Sequence, residues 1–505
     1  MFQETPVVEQ FSLLAPEILL FTGGLVIFLI DVFARDRTDS GRGYATLALF
    51  TLSVAFVASL FQTYAFFELE VAQKPAAVLN MLEIDLFAAL LKAPIILVMI
   101  LITMAGSTYM NKRTERRGEF WSFFVWVTLA MSAALSASNL IMLYVAIEFL
   151  SITSYLLAGF LRDNQRSAEA GLKYFLYGAV ASAAMLYGMT FVYGATGTLD
   201  LKGIAAYIAA NDTSVLVPAL LPATMFVMVG LGFKATLAPF FQWAPDTYDG
   251  APTPVTIYLS TASKAIGLAV TARVFVVSMN ALLVDWVPVM AGLSILTMTM
   301  GNLMALRQRD VKRMLAYSSV AHAGYLLIGI TAVAAGTESY MDGINGLLIY
   351  LIAYMFTNVG AFLVVMVLEE RANRTDIGAF EGLYRRAPAL AVMLTVFLLS
   401  LAGIPATAGF WGKFFVFGAA VQRQYFWLAG AGVVNAGIAA WYYVNVVRVM
   451  YFGERETDAE PVSMPIGMGA VLVVCTLVVF WIGLYPDPLI EWATTASEQL
   501  LSVGS

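Results

Sequence analysis

The chain has 505 residues, of which 60% are hydrophobic and only 12% charged, with a mean hydropathy of +0.80. Soluble proteins carry about a quarter charged residues, so this composition excludes a soluble globular enzyme, and a net charge of −6 points away from any nucleic-acid partner. A single cysteine, Cys475, and a single histidine, His322, exclude an internal disulfide, an iron–sulfur cluster, a structural zinc or a bis-histidine haem carried by this chain alone.

The N-terminus, "MFQETPVVEQ", is acidic and lacks the basic start of a signal peptide. Beyond it, apolar runs of roughly 20 residues, the length needed to cross a bilayer, recur along the chain. They predict an all-α polytopic membrane protein of 14 helices, at 12–34, 43–67, 84–109, 119–137, 139–161, 167–195, 218–246, 252–280, 285–306, 311–333, 342–368, 387–421, 425–452 and 467–488. Alternate connections, such as "NKRTERRG", "RDNQR" and "RQRDVKR", hold 19 of the 28 Lys and Arg residues. The opposite connections hold only Lys74, Lys202, Arg273 and Arg423. Because basic loops stay on the cytoplasmic side, both termini are expected on the other side. One connection on the basic side, "PDTYDGAPT", breaks the rule: it holds Asp246 and Asp249 and no basic residue.

The remaining five lysines lie within predicted helices. A charge at the bilayer centre costs about 2.5–3.5 kcal/mol, so each needs a reason. Lys92 is read as an anchor whose stem carries the ammonium to the headgroups. Lys173, in "AGLKYFLYG", is read either as such an anchor or as part of a polar interior. Lys234, Lys264 and Lys413 lie too deep for that, and Glu148 in "MLYVAIEFLSITSY" is their available carboxylate. His322, in "SSVAHAGY", is read either as a satisfied core histidine or as a relay. Lysine suits proton handling because burial disfavours its charged form while a nearby carboxylate favours it. A carboxylate that moves can therefore load and unload the proton.

Two helices carry their own breaks. "GFKATLAPFFQWAPD" places Pro239 and Pro245 after Lys234, and "GIPATAGFWGKF" places Pro405 before Lys413. A proline inside a helix removes one hydrogen bond and clashes with the preceding turn. These segments also align at a common offset. "TSYLLAG" (153–159) matches "AGYLLIG" (323–329) at 170, and "KATLAPFFQW" (234–243) resembles "PATAGFWGKF" (405–414) at 171. The expected unit is five helices, over 119–280 and again over 285–452, with three helices before (1–118) and one after (467–505). Five is odd, so the second copy would be inverted, as in transporters with matched broken helices.

The constellation of Glu148, Lys173, "GFKATLAPFFQWAPDTYDGAPTPV", Lys264 in "STASKAIG" and "GIPATAGFWGKF" resembles the antiporter-like membrane subunits of respiratory complex I, NADH–quinone oxidoreductase. Those subunits share ancestry with cation/proton antiporters, and the resemblance covers nearly the whole chain. A lysine at Lys413 sets aside the branch that has glutamate there, and a chain that ends soon after the last helix sets aside the branch with a long lateral helix.

The resemblance implies that Glu148 pairs with Lys234 or Lys173, that Lys234 loads the proton, that Lys264 passes it laterally with His322 as an intermediate, and that Lys413 leads to the exit or to a neighbour. It implies FMN, iron–sulfur clusters and quinone in partner subunits, and none in this chain. It implies neighbouring antiporter-like and small membrane subunits as partners, within a bacterial inner membrane. The alternative reading is a cation/proton antiporter subunit without redox coupling.

Overall fold

The computed structural model describes residues 12–33, 42–68, 76–333, 341–372, 374–453 and 464–504. Helices α1 (Ala15–Phe33), α2 (Arg42–Glu68), α3 (Leu86–Asn111), α4 (Arg117–Ser136), α5 (Leu140–Ala158) and α6 (Gln165–Thr196) open the bundle. A short α7 (Leu201–Ala210) follows, then α8 (Thr213–Ala235), α9 (Trp243–Gly250) and α10 (Thr253–Ser278). The second half runs through α11 (Leu283–Leu306), α12 (Val311–Thr331), α13 (Gly343–Ala372), the single turn α14 (Leu383–Arg386), α15 (Pro388–Ala402), α16 (Ala408–Gln422), α17 (Phe426–Phe452), α18 (Ile466–Leu484) and α19 (Asp487–Gly504). Among the described residues, thirteen helices are long and apolar enough to cross a membrane. The segment expected at 387–421 consists of two 15-residue helices, α15 and α16.

Several membrane helices start on a side-chain cap that satisfies an otherwise free backbone N–H. Asp85 accepts from Ala88, Asn139 from Ile141, Asn164 from Arg166 and Asp310 from Arg313. α10 and α13 are buried around their whole circumference and form the core, with α3 and α12 nearly so. α1, α2, α6 and α17 expose one apolar face each, as helices facing hydrocarbon do.

One end of the bundle is closed by a hairpin that the apolar-run reading did not contain. Strands β1 (Ala76–Val78) and β2 (Leu82–Ile84) pair antiparallel, with Ala77 opposite Glu83. The turn between α4 and α5 docks on the hairpin through Ser138 N to Met81 O, at 3.0 Å. Burial and the neighbouring Asp85 push the Glu83 carboxyl above its usual range, against the pull of Lys202 at 2.7 Å. Beside it, Arg273 of α10 is buried on Asp85 at 2.7 Å. α19 packs on the same end. Leu86 N donates to Gln499 at 2.6 Å, and Trp492 meets Phe67. Its polar residues interrupt every long apolar run, which is why the sequence reading ended near residue 488. The opposite end carries the basic connections, tied by Lys112 to Glu370 at 3.4 Å and by Val311 N to Thr375 O at 2.8 Å.

Lys92 corrects an expectation. Its ammonium does not reach toward the headgroups but is buried on Glu17 of α1 at 2.7 Å. The same carboxylate oxygen accepts from Ser132 of α4 at 2.7 Å. Position 92 faces neighbouring helices rather than lipid, so its charge is neutralised inside the protein. Removing one member of a buried pair strands the other charge, at about 3–5 kcal/mol. Glu17→Ala is therefore expected to lower the thermal midpoint of the protein in detergent markedly, while the double variant Glu17→Leu/Lys92→Met recovers most of the loss.

Candidate functional site in the membrane interior

The break after α8 begins at Thr236, held in the left-handed region at φ 58°. This ends the helix one residue beyond the last turn that carries Lys234. The groups freed by the break find partners elsewhere. Ala238 N donates to Thr297 Oγ1 of α11 at 2.9 Å, and Trp243 Nε1 donates to Phe233 O at 3.2 Å. Irregular backbone at membrane depth is tolerated where protein satisfies it in this way. The Ala238–Pro239 peptide is cis.

Lys234 is buried and donates to the Tyr174 hydroxyl of α6 at 3.2 Å. Tyr174 is itself stacked on Trp243 at 4.1 Å, so the break and the lysine's partner are one packed unit. A Cβ at Gly267 of α10 would sit 2.6 Å from Ala235 N. Glycine there lets α10 run against the backbone that carries Lys234.

Lys264 follows a widened π turn at Leu259–Ser263, a local defect that often marks functional sites. Its ammonium donates to Ser319 O at 2.6 Å and to Ser319 Oγ at 2.7 Å. Three residues further along α12, His322 is buried between two tyrosines. Nδ1 lies 2.8 Å from the Tyr350 hydroxyl and Nε2 3.2 Å from the Tyr443 hydroxyl, which also bonds Ser318.

Lys413 lies in α16, after the second break, and reaches back across it. Its ammonium donates to Leu401 O at 2.8 Å and Ala402 O at 2.9 Å. These are the last carbonyls of α15, where unpaired acceptors and the helix dipole favour a cation. Gly403 turns the chain at φ 90°, and a Cβ there would meet Lys413 Cδ at 2.9 Å. The Tyr325 ring lies 5.1 Å from the ammonium.

The remaining expected residues are placed differently. Lys173 does not face Glu148. It pairs with Asp246 and Glu169, each at 2.8 Å, near the basic end of α6. Glu148 accepts from the Ser182 hydroxyl and makes no ion pair with Lys234 within 4.0 Å. Asp246 and Asp249, the exceptions to the charge rule, are neutralised by Lys173 and by Arg313, at 3.1 and 3.5 Å. Opposite charge arrives from other helices, which a reading confined to one loop does not see. The sequence reading also missed Tyr174, Ser319, Tyr350 and Tyr443. Only "SSVAHAGY" carried a signal, two adjacent serines on an apolar helix just before His322. Among the described residues, no group of three His, Cys, Asp or Glu side chains is placed to hold a metal ion.

Broken crossings with buried lysines beside them define an ion-translocating membrane protein of antiporter-like fold. The family model described as NADH:quinone oxidoreductase/Mrp antiporter, TM, matches residues 137–439. The chain belongs to this family, in its NADH-quinone oxidoreductase subunit N group. It is 34% identical to NADH-quinone oxidoreductase subunit N of Desulfitobacterium hafniense, over 97% of this chain and 99% of that one. It is 36% identical to F(420)H(2) dehydrogenase subunit N of Methanosarcina mazei, over 98% of this chain and 99% of the other. A chain of respiratory complex I from Thermus thermophilus with bound aureothin superposes with a TM-score of 0.77 at 30% identity, covering 94% of this chain and 98% of that one. A chain of the Mrp complex from Dietzia sp. DQ12-45-1b shares the fold, with a TM-score of 0.84 at 20% identity and 98% of both chains covered.

Replacing Lys413 by methionine leaves the carbonyls of Leu401 and Ala402 without their shared donor. A buried unsatisfied acceptor costs about 1–3 kcal/mol. Lys413→Met is expected to lower the thermal midpoint in detergent, and Lys413→Gln, which keeps a donor, to restore part of it.

Proposed function

We propose that this chain is a membrane-arm subunit of a proton-translocating NADH:quinone oxidoreductase. It moves protons through Glu148, Lys173, Lys234, Lys264, His322 and Lys413 while electron transfer proceeds in partner subunits. The observation that carries this reading is the spacing of buried cations along one interior. Lys234 sits at one break and Lys413 at the other, with Lys264 and His322 between them on adjacent helices. Lys234, Lys264 and Lys413 are each held by hydroxyls or carbonyls rather than by a carboxylate salt bridge. Such partners support an ammonium less than a carboxylate does, so little has to change for the proton to leave.

In this scheme Glu148 sets the charge near Lys234, and the Tyr174 hydroxyl orients it. Lys173, bound to Asp246, takes a place at the basic end, outside the line of buried lysines. Lys264 and Ser319 hand the proton toward His322, whose ring joins α12 to α13 and α17 through Tyr350 and Tyr443. Lys413 is the end of the line within this chain. FMN, iron–sulfur clusters and quinone belong to partner subunits in this reading. So do the contacts with neighbouring antiporter-like and small membrane subunits. The setting is the inner membrane of a bacterium, with both termini on the non-cytoplasmic side. The similarity to an F(420)H(2) dehydrogenase subunit fits a membrane module that different electron-input modules can drive.

Lys234→Ala in the assembled complex is expected to reduce redox-driven proton uptake into inverted vesicles by roughly ten-fold or more. Lys234→Arg is expected to fail comparably, because arginine hardly releases its proton. Wild-type pumping by either variant, at equal complex content, would refute the role of Lys234. Copurification with an NADH-oxidising flavoprotein separates this reading from a redox-free antiporter.

A further inference from the structure

Four connections meet at the basic end of the bundle and enclose an open depression of about 1340 Å³. They are the α3–α4, α5–α6 and α9–α10 connections and the segment at Arg374 and Thr375 after α13. Eight cationic side chains line the depression against four carboxylates. A concave wall of one predominant sign focuses the field and gathers counter-ions. The sidedness of basic loops accounts for positive charge at this end of the molecule. It does not account for the convergence of that charge on one concavity, nor for how the charges are paired there.

Half of the eight are already bound to carboxylates. Lys112 and Arg113 share Glu370 at 3.4 and 3.7 Å. Lys312 lies 3.6 Å from Glu369, and Arg374 lies 2.7 Å from Asp376. Arg117 donates to the carbonyls of Asn111 at 2.8 Å and Thr114 at 3.1 Å. That leaves Arg116, Arg162 and Arg166, three exposed arginines with no carboxylate within 4.0 Å among the described residues. Glu115 and Asp163 line the same depression but are not close enough to neutralise them.

The backbone adds charge of the same sign. α4 and α6 both start at this wall, at Arg117 and Gln165, which brings the positive ends of two helix dipoles to it. The wall suits a polar guest. Only Phe160, Leu161, Ala251 and Pro252 bring apolar side chains, too few to cover an acyl chain or the apolar face of a helix. Guanidinium forks match phosphate oxygens through paired, charge-assisted hydrogen bonds. A phosphate monoester carries about −1.5 to −2 near neutral pH, so two phosphate groups match three free arginines beside two helix starts.

We propose that this depression binds a soluble polyanion with at least two phosphate groups, and that Arg116, Arg162 and Arg166 hold it between the α3–α4 and α5–α6 connections. The site stands apart from the line of buried lysines, since Lys234, Lys264 and Lys413 do not line it.

Equilibrium dialysis of the purified full complex against radiolabelled inorganic pyrophosphate tests the site. Saturable binding is expected, and it is expected to weaken as salt is raised. Arg116→Gln/Arg162→Gln/Arg166→Gln is expected to lower the affinity by roughly ten-fold or more. Gln165→Glu is a gentler second variant. It keeps all three arginines and adds a negative charge to the same wall, at a helix start where acidic residues are favoured, and it is expected to lower the affinity several-fold. Absence of saturable binding by the wild-type complex, or equal binding by the wild type and both variants, overturns the proposal. Two competitors separate a soluble ligand from a lipid headgroup. Glycerol 3-phosphate is expected to displace pyrophosphate at least as well as short-chain dihexanoyl phosphatidylglycerol does. Stronger displacement by the phosphatidylglycerol means that acyl chains contribute, which overturns the soluble ligand.

Discussion

Hydrocarbon offers no partner to a backbone N–H or carbonyl, and everything unusual in this protein follows from how it meets that constraint. Two crossings are broken at mid-depth, so donors and acceptors there must be satisfied by something other than the helix ladder. At the first break Thr297 and Trp243 supply the partners, and at the second Lys413 itself does. The breaks are therefore not gaps in a helix but places where side chains from other elements are held against free backbone groups. A cation placed at such a site gains carbonyl oxygens and the negative end of a helix without a permanent counter-ion.

Three kinds of cation can then be told apart by their partners. Lys92 and Arg273 sit on carboxylates, Glu17 and Asp85, and tie helices together. Lys173 and Arg313 share Asp246 at the basic end and neutralise an acidic connection. Lys234, Lys264 and Lys413 are held by neutral oxygens. Burial is common to the first and third groups, so depth alone does not mark the residues suited to exchange a proton. The identity of the partner does, because a full opposite charge fixes the protonated form while a hydroxyl or carbonyl holds it less firmly.

The tyrosines complete this arrangement. Tyr174 links Lys234 to the packing of the first break, and Tyr350 and Tyr443 clamp the imidazole of His322 between α13 and α17. Each is a large apolar body with one polar atom, which lets a dense core carry a hydroxyl at a chosen point without opening space around it. Movement of α13 or α17 relative to α12 would alter the histidine's bonds directly.

The sequence by itself determined the long apolar helices, the two broken ones, the clustering of basic connections and the lysines Lys234, Lys264 and Lys413 as buried cations. Hydrophobic run length, proline position and charge asymmetry are properties of consecutive residues, so they are legible in one dimension. Only the tertiary structure decided which oxygen each cation meets. It turned Lys92 from a headgroup anchor into the partner of Glu17, 75 residues away, and sent Lys173 to Asp246 rather than Glu148. It also folded α19 and the β1–β2 hairpin onto the bundle end, where their polar faces find partners. Pairings between distant segments depend on how helices rotate and pack, and no periodicity within a single helix records that.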